Sequence, residues 1–531
     1  MLQGKVLVSE KADPQCIATL ENAGLEVLYN PKIGREELLD IIGEYDALVV
    51  RSATKVNEEL YEHATNLKVV GRAGNGVDNI EMEGASKRGI IVVNTPDAST
   101  VTTAEHTISL LLASNRKIPQ ANNKIHAGEW GREGLKGREL QGKTLGIIGL
   151  GRIGSKVCVR MKAFGMKVIA YDPYIADERF ERFGAEKRNT LAELMQECDF
   201  LTIHTPKTWE TMGMVGKEQL AMAKDGLRVV NCARGGLIDE EALYEALESG
   251  KVDTAAIDVL KDEPKLISPL LKHPNCIFTP HLGASTVEAQ IRVGIDVAQE
   301  VVDVLEGKMV PNAVNLPTLG NTEMEGLFDY LKLGECLGNL YYGIFKDPID
   351  SMKITYCGEA TKFDEKTINL SILKGVFEPV MTGRVNYVNV GGIAEEEGIA
   401  INTVENEGEM RFNNLVKIKI AGNGVSHTFG GMVTGENEVR INRIDHFFFD
   451  IKPTTNMVFI INEDKPGRIG EVGIVAGRLG LNIGAMQCAP DGAGDAMIIL
   501  SIDRELKEEE LKQFSDIAGI KVAKFVKLYN A

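Results

Sequence analysis

Short apolar runs and longer helical stretches alternate along the chain, and changes in that alternation divide it. From Val6 to Val93 the runs KVLVS, LEVLY, ALVVR, LKVVG and IIVVN are separated by stretches of helical periodicity, the pattern of a parallel α/β sheet. The pattern resumes from Gly142 to Pro280, with FLTIHTP, RVVNCARGG, AAIDVL and CIFTPHLG as the later strands, each ending in a polar or glycine-containing turn. Between the two blocks, STVTTAEHTISLLLASNRK (Ser99–Lys117) opens with capping residues and carries a long apolar face, predicting a helix that crosses between lobes. His106 inside it reads as packed and hydrogen-bonded rather than catalytic. Thr286–Glu306 predicts an amphipathic helix that buries Val287, Ile291, Ile295, Ala298, Val302 and Leu305 and stops at Gly307. Lys308–Asn321, with two prolines and few charges, predicts a linker. Residues 322–452 predict a less regular α/β or β-rich region with many glycines, and from Asn456 the order βαββαβ predicts a ferredoxin-like module.

The expected fold class is therefore α/β: two doubly wound parallel-sheet lobes, Rossmann-type and flavodoxin-like, followed by two smaller α/β units. A chain of 531 residues exceeds what one core serves, so three or four domains are expected. The net charge of −17 argues against a general nucleic-acid or anionic-membrane surface. An anionic substrate would have to be held by local arginines. Eight cysteines without CxxC spacing suit reduced thiols and a cytoplasmic protein, and no metal site is expected. No segment has the apolar length of an export signal or a membrane span.

The most specific local signal is QGKTLGIIGLGRIGSKVCVRMKAFGMKVIAYD, Gln141–Asp172. An apolar strand runs into Gly149, Gly151 and Gly154, the three places of a GxGxxG turn. These glycines make the tight turn, let backbone approach a pyrophosphate, and let helix pack on strand. The helix that follows presents free N–H groups to the phosphates. Asp172 ends the next strand, where a carboxylate accepts ribose hydroxyls and repels a 2′-phosphate, favouring NAD over NADP.

Beyond this turn, Arg234 (NCARGG), Glu263 (DVLKDEP) and His281 (TPHLGAST) lie on successive strand ends. Oxidising an alcohol by hydride transfer needs a base for the hydroxyl proton and a cation for a neighbouring carboxylate. His281 suits the base, Glu263 would orient it and raise its basicity, and Arg234 can hold a carboxylate bidentately.

Together with VRSATKV, VVGRAGNGVDNI, NTPDAS and HTP, these motifs make the chain resemble the D-isomer-specific 2-hydroxyacid dehydrogenases. Within them it resembles the long members that carry an intervening domain and a C-terminal ACT domain. The resemblance implies a discontinuous substrate-binding domain (1–98 and 286–316), an NAD-binding domain (99–285), an intervening domain (317–452) and an ACT domain (453–531). It implies oxidation of 3-phospho-D-glycerate to 3-phosphohydroxypyruvate with NAD, the first step of L-serine biosynthesis, by a homodimer or homotetramer. Arg234, Glu263 and His281 keep the roles derived above. Implied cofactor contacts are Asn75, Gly149, Gly151, Arg152, Ile153, Gly154, Asp172, Thr205, Pro206, Cys232, Asp258, Gly283 and Ala284, with Cys232 a wall of the nicotinamide site rather than a nucleophile. Implied substrate contacts are Arg51, Arg72, the backbone at Gly76, Ser99, and Arg132 from a neighbouring subunit. An L-serine effector would meet Asn462, Asp464 and Asn482. The chain departs from the family at Asn75, Ser99 and Asn462, where Thr, Asn and, in some relatives, Tyr stand. Two alternatives stay open: a dehydrogenase or reductase of another D-2-hydroxy acid, such as 2-hydroxyglutarate or hydroxypyruvate, and an NAD-sensing, corepressor-like binding protein.

Overall fold

The first apolar runs pair as a parallel sheet of β1 (Lys5–Val8), β2 (Glu26–Tyr29), β3 (Ala47–Val50), β4 (Val69–Arg72) and β5 (Ile91–Asn94), in the order β2-β1-β3-β4-β5. This is the flavodoxin-like order. The computed structural model describes residues 2–308, 310–316, 324–405, 414–435 and 438–528. Among them no helix is long and apolar enough to cross a membrane.

The second sheet joins β6 (Thr144–Ile148), β7 (Lys167–Tyr171), β8 (Glu186–Lys187), β9 (Phe200–Ile203), β10 (Leu227–Asn231), β11 (Val252–Ile257) and β12 (Cys276–Phe278). All its pairs are parallel, in the order β12-β11-β10-β9-β6-β7-β8, the Rossmann winding with its switch point between β6 and β9. The Thr100–Asn115 helix packs into this second lobe, with Ala104, Ile108 and Leu111 in one core with Leu145, Val157 and Val230.

The Val287–Leu305 helix, capped by Thr286, returns to the first lobe, but on a different face from the one the periodicity suggests. Ala289, Val293, Val297 and Val301 are buried with Ala298 and Val302, whereas Val287 is 73% and Ile295 36% exposed. Gly71 in β4 decides the face, because a Cβ there would stand 2.9 Å from Val297 and 2.8 Å from Val301, so only glycine admits these valines. The expected linker is also corrected. Its described part pairs with β5: Val314 N–H donates to Val92 O at 2.7 Å and Asn94 N–H to Asn312 O at 3.2 Å. The rest of that segment, with Met309 and the 316/317 boundary, touches or lies outside the described residues.

The region expected to be less regular holds a six-stranded sheet. Its strands are β13 (Ser351–Tyr356), β14 (Ala400–Glu405), β15 (Leu415–Gly422), β16 (Val425–Val433), β17 (Val439–Ile444) and β18 (Phe447–Ile451). They run in the order β14-β13-β15-β16-β17-β18 beneath the helices Met324–Ile344 and Glu365–Phe377. Its glycines serve close packing: a Cβ on Gly338 would overlap the Ile372 carbonyl, and one on Gly375 the Glu335 carbonyl.

Last come β19 (Asn456–Glu463), β20 (Ile483–Pro490), β21 (Asp495–Ile502) and β22 (Ile520–Lys527), antiparallel in the order β20-β21-β19-β22. With helices Arg468–Arg478 and Glu508–Ser515 on one face this is the ferredoxin-like βαββαβ arrangement.

Candidate active site

Ligands of doubly wound sheets bind beyond the carboxyl ends of the strands, and here the carboxyl edges of the two parallel sheets face each other. Arg234 Nε, after β10, meets Asp78 Oδ2, after β4, at 3.1 Å, and Arg152 Nε meets Asp97 Oδ1 at 2.8 Å.

The glycine turn has the shape that a dinucleotide requires. Gly149 takes φ +87° and backs onto the His204 carbonyl and Thr205 after β9. A Cβ on Gly154 would overlap the Gly149 carbonyl, whereas one on Gly151 would meet nothing within 4 Å among the described residues, leaving backbone open to a ligand. Ile153 packs inward beside the Arg152–Ala163 helix's own core. Asp172 Oδ2 accepts Leu150 N–H at 2.9 Å and its Oδ1 accepts Tyr174 N–H at 3.1 Å, so the carboxylate stands beside the turn. Pro206 O accepts the Thr211 hydroxyl at 2.7 Å, bracing the loop after β9. His204, neighbouring both, is held neutral because burial lowers its imidazole to about 4.

Beyond β11 and β12 the chemistry converges. His281 Nδ1 lies 2.7 Å from Glu263 Oε1, with both side chains partly open to the cleft. Glu263 is itself aimed by Leu260 N–H, which donates to Oε2 at 3.2 Å. His281 takes φ +54°, a left-handed conformation unusual for a residue with a side chain. Asp258 holds it there: its carbonyl accepts His281 N–H at 2.9 Å, and its carboxylate accepts Leu282 N–H at 2.7 Å and Gly283 N–H at 2.9 Å. The same carboxylate accepts the Thr279 hydroxyl at 2.5 Å and lies 3.2 Å from His106 Nε2. Burial works against its charge, yet these bonds from His106, Thr279 and Leu282 hold its carboxyl below the usual range. With 0% side-chain exposure, Asp258 shapes the Gly283–Ala284 turn from beneath. His106 is thus a packed, hydrogen-bonded residue one layer below the dyad. Cys232, also in this layer, is buried and its thiol is pushed up to about 12 by burial, which leaves no nucleophilic thiolate near neutral pH. His106, Cys232 and Asp258 bring ligand-type atoms within 4.8 Å of one another, but Asp258 is already saturated by donors and Cys232 keeps its proton.

Arg234 reaches across to the first lobe. Its guanidinium lies against Gly76, where a Cβ would overlap it, so Gly76→Ala is expected to displace Arg234 and raise the substrate KM far more than the KM for NAD, as steady-state kinetics would show. Arg72 sits behind, with Nη1 on Ala73 O at 2.8 Å and Nε buried without a partner among the described residues. Burial lowers its guanidinium to about 10; Glu10, Arg234, Arg51 and Asp78 all lie close enough to act on it. Asn75 is exposed on the same loop, its carbonyl taken by Asn94 Nδ2 at 2.6 Å. Ser99 is 4% exposed at the start of the Thr100–Asn115 helix, so it is less available than its sequence position suggests. Arg132 lies on the exposed loop before β6. Asp78 and Asn79 were not singled out from sequence, although both directly follow the GNGV turn.

Residues 108–283 match the D-isomer specific 2-hydroxyacid dehydrogenase NAD binding domain, and residues 326–445 match the D-3-phosphoglycerate dehydrogenase intervening domain. D-3-phosphoglycerate dehydrogenase of Archaeoglobus fulgidus is 41% identical over 99% of this chain and 100% of its own. The chain belongs to the D-3-phosphoglycerate dehydrogenase family. The Bacillus subtilis member is 40% identical over 99% of both chains. Among solved structures, a glyoxylate reductase from Paecilomyes thermophila is 31% identical and superposes with a TM-score of 0.55 over 59% of this chain and 99% of its own. D-lactate dehydrogenase of Aquifex aeolicus, complexed with NAD and lactic acid, is 27% identical with a TM-score of 0.52 over 59% of this chain and all of its own. Like its family, the chain is an NAD-dependent oxidoreductase acting on a CH–OH group.

Proposed function

We propose that the protein oxidises the C2 hydroxyl of 3-phospho-D-glycerate to the ketone of 3-phosphohydroxypyruvate, the first step of L-serine biosynthesis. The observation that carries this reading is the His281–Glu263 pair on the same cleft as Arg234, Arg72 and Arg51, in a chain aligned end to end with named phosphoglycerate dehydrogenases. An ionised Glu263 can only accept, so the hydrogen on His281 stands at Nδ1 and Nε2 is the free base. Nε2 takes the hydroxyl proton, and Glu263 stabilises the imidazolium that results. Arg234 leaves Asp78 for the substrate carboxylate and polarises the forming carbonyl, with the backbone N–H groups at Gly76 beside it. Arg51 and Arg72 receive the phosphate, with Ser99 and a neighbouring subunit's Arg132 at the margin.

NAD, when bound, supplies the hydride acceptor. Gly149, Gly151, Arg152, Ile153 and Gly154 would hold its pyrophosphate, Asp172 its adenosine ribose, and Asn75, Thr205, Pro206, Cys232, Gly283 and Ala284 would wall the nicotinamide side, with Asp258 acting from beneath through the turn it holds. Asp172→Ala is expected to narrow the preference for NAD over NADP, measured as the ratio of kcat/KM for the two. An unchanged ratio would remove Asp172 from the ribose.

The last sheet is read as an ACT module that takes L-serine. Asn462 supports this: it is buried, its Nδ2 donates to Glu463 O at 2.7 Å, and its Oδ1 is buried without a partner among the described residues. Asp464 and Asn482 are exposed at the neighbouring strand ends. Asn462→Ala is expected to abolish inhibition by L-serine while leaving uninhibited kcat in place. The protein is read as a cytoplasmic homodimer or homotetramer, and exposed Val101, Ile118, Ile125 and Val287 offer apolar surface for assembly. The functional reading is tested by incubating the protein with 3-phosphoglycerate and NAD and identifying the products. 3-Phosphohydroxypyruvate and NADH in equal amounts are expected; no turnover would overturn it.

A further inference from the structure

Glu10 follows β1 and is assigned no role above, yet its carboxylate is the centre of the turn that carries Arg51. Oε1 accepts the N–H groups of Arg51 at 2.9 Å and Thr54 at 2.8 Å, and Oε2 accepts that of Ala53 at 3.1 Å. The carbonyls of the same turn are held from the opposite side, where Asn79 Nδ2 donates to Arg51 O at 2.9 Å and Thr54 O at 2.6 Å. Ser9 Oγ and Thr54 Oγ1 close the ring at 3.1 Å. A surface loop is normally solvated; this one has its polar backbone bound on both sides by side chains. Val50 pairs in register with Arg72, so the next residue, Arg51, leaves β3 beside the end of β4.

We infer that Glu10 is a positioning residue for the phosphate end of the substrate cleft: it fixes the Arg51–Thr54 turn so that Arg51 stands beside Arg72. The inference rests on the functional reading above, because it presumes a phosphorylated substrate. Two effects of removing Glu10 oppose each other. Loss of the turn's anchor weakens phosphate binding, whereas loss of a negative charge near the arginines strengthens it. Bonds from backbone N–H to an ionised carboxylate are among the stronger ones, so the anchor is expected to dominate.

The test compares Glu10→Gln and Glu10→Ala with the unmodified protein, using kcat, the KM values for 3-phosphoglycerate and NAD, and the inhibition constant of inorganic phosphate against 3-phosphoglycerate. Glutamine keeps an acceptor for two of the three N–H groups and presents an amide hydrogen to the third. Glu10→Ala is expected to raise the 3-phosphoglycerate KM about tenfold or more, with Glu10→Gln intermediate. The inhibition constant of phosphate should rise in parallel, while kcat and the KM for NAD stay near their starting values. A KM that falls makes Glu10 a competitor of the phosphate and overturns the proposal, as does an unchanged KM or an equal loss in kcat. The unmodified protein is first assayed on 3-phosphoglycerate beside D-glycerate. If it is indifferent to the phosphate, the functional reading itself fails and this inference falls with it, a result distinct from failure of the Glu10 variants alone.

Discussion

His281→Ala is expected to lower kcat by about 10²–10⁴ while NAD binding persists, the usual cost of removing a general base. The separation of the two effects follows from geometry. His281 follows β12 at one end of the second sheet, where it bonds to Asp258, Thr279 and Glu263, whereas the glycine turn and Asp172 belong to β6, β7 and the helix between them. Glu263→Gln is expected to be milder than His281→Ala, because it leaves the imidazole in place and removes only the charge beside Nδ1. Single-turnover kinetics with NAD titrated by fluorescence would check both. Near-normal turnover in His281→Ala would remove it from the mechanism.

Arg234→Ala is expected to lower kcat/KM for the hydroxy acid by about 10²–10³, the scale of losing one charge-stabilising group. Arg234→Lys should recover little, because a point charge cannot supply the planar fork that holds a carboxylate with two bonds. The surroundings sharpen this expectation. Nη1 is held by Ala233 O at 2.7 Å and Nε by Asp78 at 3.1 Å, so the guanidinium is fixed between two acceptors that a lysine ammonium could not satisfy together. Substrate saturation curves at fixed NAD would show the loss. Equal KM and kcat in Arg234→Lys would mean the residue acts only as charge.

What was legible in the sequence was local. The strands of both parallel sheets announced themselves as apolar runs bounded by turns, and Gly149, Gly151 and Gly154 carry a backbone requirement readable within a few residues. Arg234, Glu263 and His281 could be placed together because a parallel sheet delivers all its strand ends to one edge. What was missed depends on distant partners. The Val287–Leu305 helix carries branched apolar residues on more than one face, and the choice between Ile295 and Val297 is made by Gly71 in another segment. Residues 312–315 sit inside the Lys308–Asn321 segment that reads as a linker because the strand they join is far away; Asn315 accepts Val92 N–H from 223 positions along the chain. Glycines in the Met324–Ile344 helix weaken a helical reading by propensity alone, yet they let the Glu365–Phe377 helix approach at Gly334 and Gly338. Asp78 and Glu10 look like ordinary surface acids until Arg234 and the Arg51–Thr54 turn are folded against them.

On this reading the cleft selects a phosphorylated D-2-hydroxy acid and oxidises it with NAD. The most direct measurement is kcat/KM for NADH formation from 3-phosphoglycerate, D-glycerate and D-2-hydroxyglutarate under the same conditions. A strong preference for 3-phosphoglycerate, lost when Arg51 and Arg72 are replaced by glutamine, is the predicted result. A preference for either unphosphorylated acid would contradict the substrate assignment, and no turnover on any of the three would contradict the account as a whole.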